Sequence, residues 1–541
     1  MRATNSALPL ALIALLGNFA SGQTVLHTYV ESEPSAKAGS SVAIWEDLNG
    51  DGYLEWLIGV PDGDGIGTDS GRILVKSGFD NSLLNTLQGP QAGARYGQAL
   101  ANVKDLDGDG VDDLAVGASG MGTVFAYSGA TGALLWSTTH PTIATFGWAV
   151  SAAGDVNADG TPDVVVGEGR GPSAAQAVVL SGTTGAIILS YAFQASWAEG
   201  MSVAGVGDVN SDGHDDIAAG RTRILDTGTA HVIDGATGTM LYDLTQSLGF
   251  QAIGASLCGL NDIDGDGVPD FAAGDIWELY IAGGPGYVYV FSGATGSLIW
   301  TFAKWGTNEL GTSIANAGDV DNDGFDDLIV GDSYSAEVHL ISPKRQCELF
   351  KHSAYPTIAN FGTSVAGGKD IDGDGYLDFV AGGAWNYWSP HFNNPSGARL
   401  FTYGLWPDAV YNYCAAVANS TNQRAKMAWQ GTTSIANNNF RLSASKCPAN
   451  KFGLFFYGSA ATELPVGDGH LCVSGGLYRT AVVSTGSTGT PSRTLDFTNP
   501  PQAAAQISAG DTWYFSFWFR DPSGGPAGFN FADGLRASFC P

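Results

Sequence analysis

Positive charge is scarce in this chain. Lysine and arginine number 24 against 53 aspartates and glutamates in 541 residues, a formal net charge of −29. A chain of that sign is poorly suited to neutralising phosphates, which argues against nucleic-acid binding and against docking onto anionic lipid. Charged residues of both signs make up only 14% of the chain and hydrophobic ones 44%, so it is not a disordered polyelectrolyte. Long apolar runs are also missing, and no segment reaches the roughly 18 uninterrupted apolar residues that insertion into a membrane requires. Six cysteines are too few for a disulfide scaffold in a chain of this size. Eight histidines include no His-Glu-x-x-His pair, and no Gly-x-Ser-x-Gly elbow occurs, so two common hydrolase signatures are absent.

What is present begins with an address. Arg2 precedes the apolar run from Ala7 to Leu16, and the small residues Ala20-Ser21-Gly22 follow. These are the three parts of a secretory signal peptide, with cleavage expected after Gly22. Removal of Arg2 leaves 23 basic against 53 acidic residues, or −30.

Glycine, at 76 residues, is about twice its ordinary usage and has no collagen period. It marks a repeat instead. The segment Asp47-Leu-Asn-Gly-Asp-Gly-Tyr-Leu-Glu55 recurs from Asp105, Asp155, Asp208, Asp262, Asp319 and Asp370. Eight residues before each first aspartate stands a glycine: Gly39, Gly97, Gly147, Gly200, Gly254, Gly311 and Gly362. Twelve residues after it stands another: Gly59, Gly117, Gly167, Gly220, Gly274, Gly331 and Gly382. A short apolar run follows each acidic segment, as in Val164-Val165-Val166, and reads as a buried strand. Turns such as Ser128 to Gly132 then join two further strands in a hairpin. About four strands per unit, seven times, is the pattern of a seven-bladed β-propeller. A linear solenoid is the alternative arrangement. The last unit is one strand short, and Val25 to Tyr29 is expected to complete it by pairing with Ala398 to Tyr403, closing the ring.

The acidic segment has the oxygen spacing of a calcium loop. Position 1 is Asp47, Asp105, Asp155, Asp208, Asp262, Asp319 and Asp370; position 3 is Asn49, Asp107, Asn157, Asn210, Asp264, Asp321 and Asp372. Position 5 is Asp51, Asp109, Asp159, Asp212, Asp266, Asp323 and Asp374. A backbone carbonyl is expected from position 7, which is Tyr53, Val111, Thr161, His214, Val268, Phe325 or Tyr376. Position 9 supplies Glu55, Asp113, Asp163, Asp216, Asp270, Asp327 and Asp378 to close the site. An EF-hand is excluded because position 12 is apolar in all seven loops and lies inside the expected strand. Carboxylates at these positions account for 25 of the 53 acidic residues. Up to seven Ca²⁺ ions would bring −30 to −16. Metal-free Asx-Gly turns are the simpler alternative for any one loop.

Phe146-Gly147 and Phe361-Gly362, each followed by the acidic loop, together with Gly117-Ala118-Ser119, resemble FG-GAP repeats, which build the propellers of integrin α subunits and of many secreted bacterial proteins. The resemblance covers about residues 23–404 and implies calcium on one face of the disc and partner binding on the other. It is incomplete, since Ala38-Gly39, Glu199-Gly200 and Ile253-Gly254 replace the Phe-Gly pair.

The opposite loops carry large aromatics, of which Trp277, Trp305, Trp385, Tyr387 and Trp388 are candidate ligand contacts, suited to stacking on sugar rings or anchoring a protein. Packing between blades is the other role such rings take. The Asp-Gly period ends at Asp378, and residues 405–541 read as a C-terminal β-sandwich with aromatic strands such as Trp513 to Phe519. Cys414, Cys447, Cys472 and Cys540 are expected to form two disulfides there. Three connectivities are possible, and Cys414–Cys540 with Cys447–Cys472 is favoured because it ties the two ends. Cys258 reads as a core thiol and Cys347 has no evident partner. Asn419-Ser420-Thr421 is a glycosylation acceptor only in a eukaryotic secretory route. The sequence as a whole points to an exported propeller used in adhesion or ligand binding, with a carbohydrate-active hydrolase or lyase as the rival.

Overall fold

The structure is a computed structural model. It describes residues 24–539 except 34–35, 170, 199, 222–227, 245–252, 277–284, 306–308, 322, 356, 359, 385–394, 403–409, 415, 431–432, 434, 436–437 and 509–510. The segment read as a signal peptide, Cys540, and Trp277, Trp385, Tyr387 and Trp388 therefore lie outside the described residues.

Forty strands, β1 to β40 in chain order, are present among the described residues. The first 28 form seven antiparallel four-stranded sheets, the blades. Their inner strands are β2 (Val42–Ile44), β6 (Tyr96–Val103), β10 (Phe146–Gly154), β14 (Met201–Gly207), β18 (Ile253–Leu260), β22 (Leu310–Gly318) and β26 (Phe361–Lys369). Each inner strand packs on the next, and β2 touches both β6 and β26, so the seven sheets close into a ring. The second strands are β3 (Glu55–Val60), β7 (Asp113–Ala118), β11 (Asp163–Glu168), β15 (Asp216–Arg221), β19 (Asp270–Asp275), β23 (Asp327–Asp332) and β27 (Asp378–Gly383). Every residue of these seven is buried, as the continuous apolar runs require when both faces of a sheet are covered by neighbouring blades. Outer strands such as β9 (Leu134–Thr139) are half-exposed and more polar.

The seam is closed as the sequence predicts. β1 (Thr24–Val30) runs antiparallel to β28 (Gly397–Thr402), pairing Thr24 with Thr402 and Tyr29 with Ala398. The seventh blade thus takes its outer strand from the beginning of the chain, and the solenoid alternative is excluded.

The two recurring glycines meet between blades. A Cβ on Gly331 would collide with the carbonyl oxygen of Gly362 in the next blade, and the same clash joins Gly59 to Gly97, Gly117 to Gly147, Gly220 to Gly254, Gly274 to Gly311 and Gly382 to Gly39. Only hydrogen fits there, so the offsets of −8 and +12 are the two sides of one inter-blade contact. Gly167 is the exception; its Cβ would lie 3.2 Å from that of Met201. A serine two residues after the first glycine strengthens five of the seven junctions. Ser41, Ser202, Ser256, Ser313 and Ser364 donate to the carbonyls of Gly97, Gly254, Gly311, Gly362 and Gly39 at 2.6–2.9 Å.

Beyond residue 409 the strands form a different unit. A seven-stranded sheet is built on β32 (Phe452–Gly458), β38 (Thr512–Arg520) and β40 (Gly534–Ser538), with β29 (Val410–Tyr413) at one edge. A three-stranded sheet of β30 (Lys426–Gln430), β31 (Arg441–Ser445) and β37 (Ser492–Thr494) packs over it. Met427, Leu442, Phe455, Phe515 and Phe517 share the core between the two sheets, which makes a β-sandwich.

The disulfide pattern differs from expectation. Cys414 bonds Cys472, Cα to Cα 5.9 Å, whereas Cys447 is a free thiol buried in the sandwich core. The reason is topological. Tyr413 at the end of β29 donates its hydroxyl to the carbonyl of Cys472 in β34 (Gly469–Ser474), which sets the neighbouring Cys414 against that strand. Cys347 is likewise disulfide-bonded rather than unpaired. Cys258 is the buried thiol the sequence predicts, and burial pushes its pKa up to about 12.

Candidate metal centres

Each acidic loop connects the inner strand of a blade to the second strand, so all seven stand at the same end of their blades. Glycine at position 6 makes the turn possible. Gly52, Gly110, Gly160, Gly213, Gly267, Gly324 and Gly375 all have φ between 88° and 92°, the left-handed region that side chains avoid. Nothing lies within 4 Å of a Cβ built at any of them, so the requirement is conformational and not steric.

The second loop shows how the carboxylates are held. Asp105 Oδ1 accepts from Gly108 N at 2.6 Å and its Oδ2 from Gly110 N at 2.8 Å. Asp107 accepts from Asp109 N and Asp109 from Val111 N, so alternate side chains turn back over the loop. Asp113 is fully buried at the head of β7; it accepts from Leu106 N at 2.7 Å and from Gly129 N at 2.8 Å. Gly129 belongs to the hairpin turn of the same blade. Asp163, Asp216 and Asp270 make the equivalent bonds to Gly182, Gly235 and Gly293. The position 9 acid therefore ties loop, strand and turn together, which explains why loop and turn recur as a pair.

Four loops bring three carboxylate oxygens within 4.8 Å of one another: Asp105, Asp107 and Asp113; Asp262, Asp264 and Asp270; Asp319, Asp321 and Asp327; and Asp370, Asp372 and Asp374. In the seventh loop the third member is position 5, not Asp378. The other three loops have asparagine at position 3. There Asn49 and Asn210 donate to Asp51 and Asp212 at 2.9 and 3.1 Å, and Asn157 accepts from Asp159 N at 2.8 Å. His214 at position 7 places its Nδ1 2.8 Å from the carbonyl of Val156.

Two loops bury carboxylates deeply: Glu55 is held by the amides of Leu48 and Asn49, Asp327 by the Ser342 hydroxyl, and Asp321 by Arg345 at 3.0 Å. Clustered, buried carboxylates in an all-oxygen donor set fit a hard divalent cation. Burial pushes the pKa of Asp113, Asp163 and Asp216 up to about 6, against the pull of the amides, with neighbouring acids adding to the rise. Burial, and then the charges of Asp47 and Asp51, push Glu55 to about 7. Asp327 is held well above the ordinary range by burial and by Asp321.

The sixth loop differs in a way the sequence reading missed. Arg345, from the turn between β24 (Glu337–Ser342) and β25 (Cys347–Ser353), places Nε 3.0 Å from Asp321 Oδ2 and 3.1 Å from Asp323 Oδ2. Its neighbour Lys344 lies over the ring of Phe325 and donates to the carbonyl of Ile263 at 2.8 Å. The signal was the replacement of the usual Gly-Ala-Thr-Gly turn by Pro343-Lys-Arg-Gln346.

Of the candidate ligand aromatics, Trp305 is the last residue of β21 (Leu298–Trp305). Among the described residues no helix is long and apolar enough to cross a membrane.

Fold and loops together define the class: a closed β-propeller with an acidic, glycine-turned loop between the first two strands of every blade. Residues 105–166 match the FG-GAP-like repeat and residues 361–398 the FG-GAP repeat, so the chain carries FG-GAP-type repeats and is similar to integrin α subunits over part of its length. It is 27% identical to integrin alpha pat-2 of Caenorhabditis briggsae over 252 residues, 43% of this chain and 17% of that protein. Phosphatidylinositol-glycan-specific phospholipase D of Bos taurus matches at 32% over 171 residues, 27% of this chain and 20% of the relative. Integrin alpha-V of Gallus gallus matches at 33% over 168 residues, 26% and 16%. The chain thus spans no more than a fifth of the length of these relatives.

Proposed function

We propose that this chain is an exported, calcium-binding propeller that serves in adhesion or ligand binding, taking a glycan or protein at or outside the cell surface. The observation that carries the reading is the recurrence of one oxygen-lined loop at the same end of seven blades, with three carboxylate oxygens clustered in four of them. Calcium is favoured over magnesium because the donors are all oxygens on irregular loops, whereas Mg²⁺ demands near-octahedral geometry. Residues 1–22 act as the leader, 23–404 as the propeller and 405–541 as an appended module. The ligand contacts are Trp277, Trp305, Trp385, Tyr387 and Trp388.

Catalysis is the second reading, favoured by the phospholipase D match and by the rival sequence reading of a carbohydrate-active enzyme. One experiment separates them. The full chain without its leader is applied to glycan and extracellular-protein arrays with calcium and after calcium depletion, and array glycans are assayed for reducing ends. Saturable, calcium-dependent binding without turnover is expected. Release of reducing ends would replace the binding reading with the enzymatic one, and binding indifferent to calcium would remove the metal from it.

A further inference from the structure

Blade six carries a second group of metal-type ligands, at the end of the blade away from its acidic loop. Asp332 ends β23 and is paired directly across from Glu337, the first residue of β24. His339 follows two residues later on the same strand, so all three side chains project from one face of the hairpin. Their ligand atoms lie within 4.8 Å of one another. Asp332 and His339 are both fully buried, and Asp332 Oδ2 and His339 Nε2 have no hydrogen-bond partner.

The imidazole is oriented from behind. His339 Nδ1 lies 2.5 Å from Glu348 Oε1 on β25, which fixes the tautomer with the proton on Nδ1 and the lone pair on Nε2. That lone pair faces Glu337 Oε2 at 3.7 Å, too long for a hydrogen bond. Two ligands on a tetrahedral ion with bonds of roughly 2.1 Å sit about 3.4 Å apart, so the pair needs little movement to share one. A carboxylate behind a histidine whose other nitrogen is bare is the usual outer arrangement of a metal-bound imidazole. Lys351 Nζ lies 2.7 Å from Glu337 Oε1, and Lys304 Nζ lies 3.7 Å from both Glu337 Oε2 and Glu348 Oε1. These two ammonium groups offset part of the negative charge and weaken the site without occupying the histidine nitrogen. Asp332 Oδ1 accepts from Ser335 N at 3.1 Å, which leaves Oδ2 for the ion.

We propose that Asp332, Glu337 and His339 form a site for a divalent transition ion of the zinc class, separate from the calcium-type loops. A nitrogen donor beside two carboxylates suits zinc better than calcium, and three protein ligands leave a fourth position open. Glu348 is a positioning residue that acts through His339.

The test uses the full chain saturated with millimolar calcium, which fills the oxygen-only loops, and titrates Zn²⁺ by calorimetry and Co²⁺ by its visible absorption. One ion per chain is expected, with the intense cobalt spectrum of a four-coordinate site. Glu337→Gln and His339→Gln should abolish binding, and Glu348→Gln should weaken it about 10- to 100-fold while leaving the stoichiometry at one. Far-ultraviolet circular dichroism reports whether each variant is folded. If His339→Gln unfolds, Glu337→Gln decides, because Glu337 is only half-buried at the rim. Absence of zinc binding in calcium, or binding unchanged in folded Glu337→Gln, would overturn the assignment.

Discussion

At the residue scale the seven loops are alike in spacing and unlike in detail. The aspartates of positions 1, 3 and 5 are legible from the sequence because the spacing of oxygens along a tight turn is a local property. Arg345 was not, because it approaches the sixth loop from a different hairpin and only the fold brings the two together. Its guanidinium pairs with Asp321 and Asp323, two residues that calcium would need. An ion entering this loop must displace a cation first, so the sixth site should be the weakest of those with four carboxylates. Arg345→Ala should tighten calcium binding there by about tenfold, roughly 1.4 kcal/mol. Calorimetric titration of the variant against the parent checks this, and an unchanged set of affinities would show that the guanidinium swings clear when calcium binds.

The element scale shows what periodicity can and cannot predict. The two glycine offsets are visible in the sequence as bare numbers. Their cause is visible only in the fold, where Gly331 of β23 meets Gly362 of β26 with no room for a methyl group between them. The serine ring was missed because serine stands at that place in only five units and is a common residue elsewhere. The disulfide was missed for a related reason: nothing in the order of cysteines tells that β34 lies beside the end of β29, or that Cys447 points into a core. Inter-blade packing gives a paired prediction. Gly331→Ala must push blades six and seven apart and should cost about 3 kcal/mol, in the range of overpacking at a rigid contact. Gly167→Ala meets side chains and no backbone, Met201 at 3.2 Å and Ala149 and Val203 at 3.4 Å, and should cost less than about 1 kcal/mol. Denaturant melts of the two variants decide the point, and equal losses would mean the contact is softer than its geometry implies.

For the whole molecule, charge and closure matter most. The sequence predicts the count of blades and the joining of both ends in one sheet, because four strands per unit leave the last unit visibly short. The acidic loops place many like charges at one end of the ring, and protons and calcium compete for them. Asp113, Asp163 and Asp216 have folded pKa values near 6 and Glu55 near 7, all raised above the roughly 4 of an unfolded carboxyl. Groups with raised pKa stabilise the calcium-free fold below about pH 4, and that contribution is lost as pH rises through about 6 to 7. Calcium acts in the opposite sense, since its ligands must be ionised. With dissociation constants of about 0.1–1 mM, each site at about 1 mM calcium contributes roughly 0.4–1.4 kcal/mol by mass action, or roughly 3–10 kcal/mol for seven. The gap in melting temperature between calcium-loaded and calcium-depleted protein should therefore be small near about pH 5 and several degrees wider near about pH 8. A gap that does not change with pH would show that these acids are not ligands.

Closure of the ring rests on one short strand. β1 pairs with β28 from Thr24 to Val30, and its neighbourhood is anchored further by Tyr29, whose hydroxyl donates to Glu31 at 2.8 Å, and by Glu31, which pairs with Arg72 of blade one at 2.9 Å. The strand therefore joins blade seven to the chain that leads into blade one, at the only seam in the ring. Elsewhere a blade is made of consecutive strands and survives on local contacts, but here the pairing joins residues about 370 apart, from Thr24 with Thr402 to Val30 with Gly397, and closes late in folding. Removing residues 23–30 leaves β28 as an open edge carrying Leu400 and Phe401, both fully buried in the intact ring. An unpaired apolar edge is a template for association with other chains. The shortened protein should melt well below the parent and form concentration-dependent oligomers in sedimentation, and a synthetic peptide of residues 23–30 added in excess should partly restore the melting temperature. If the shortened chain melts like the parent and stays monomeric, the ring is held by its inner strands alone and the shared blade is dispensable.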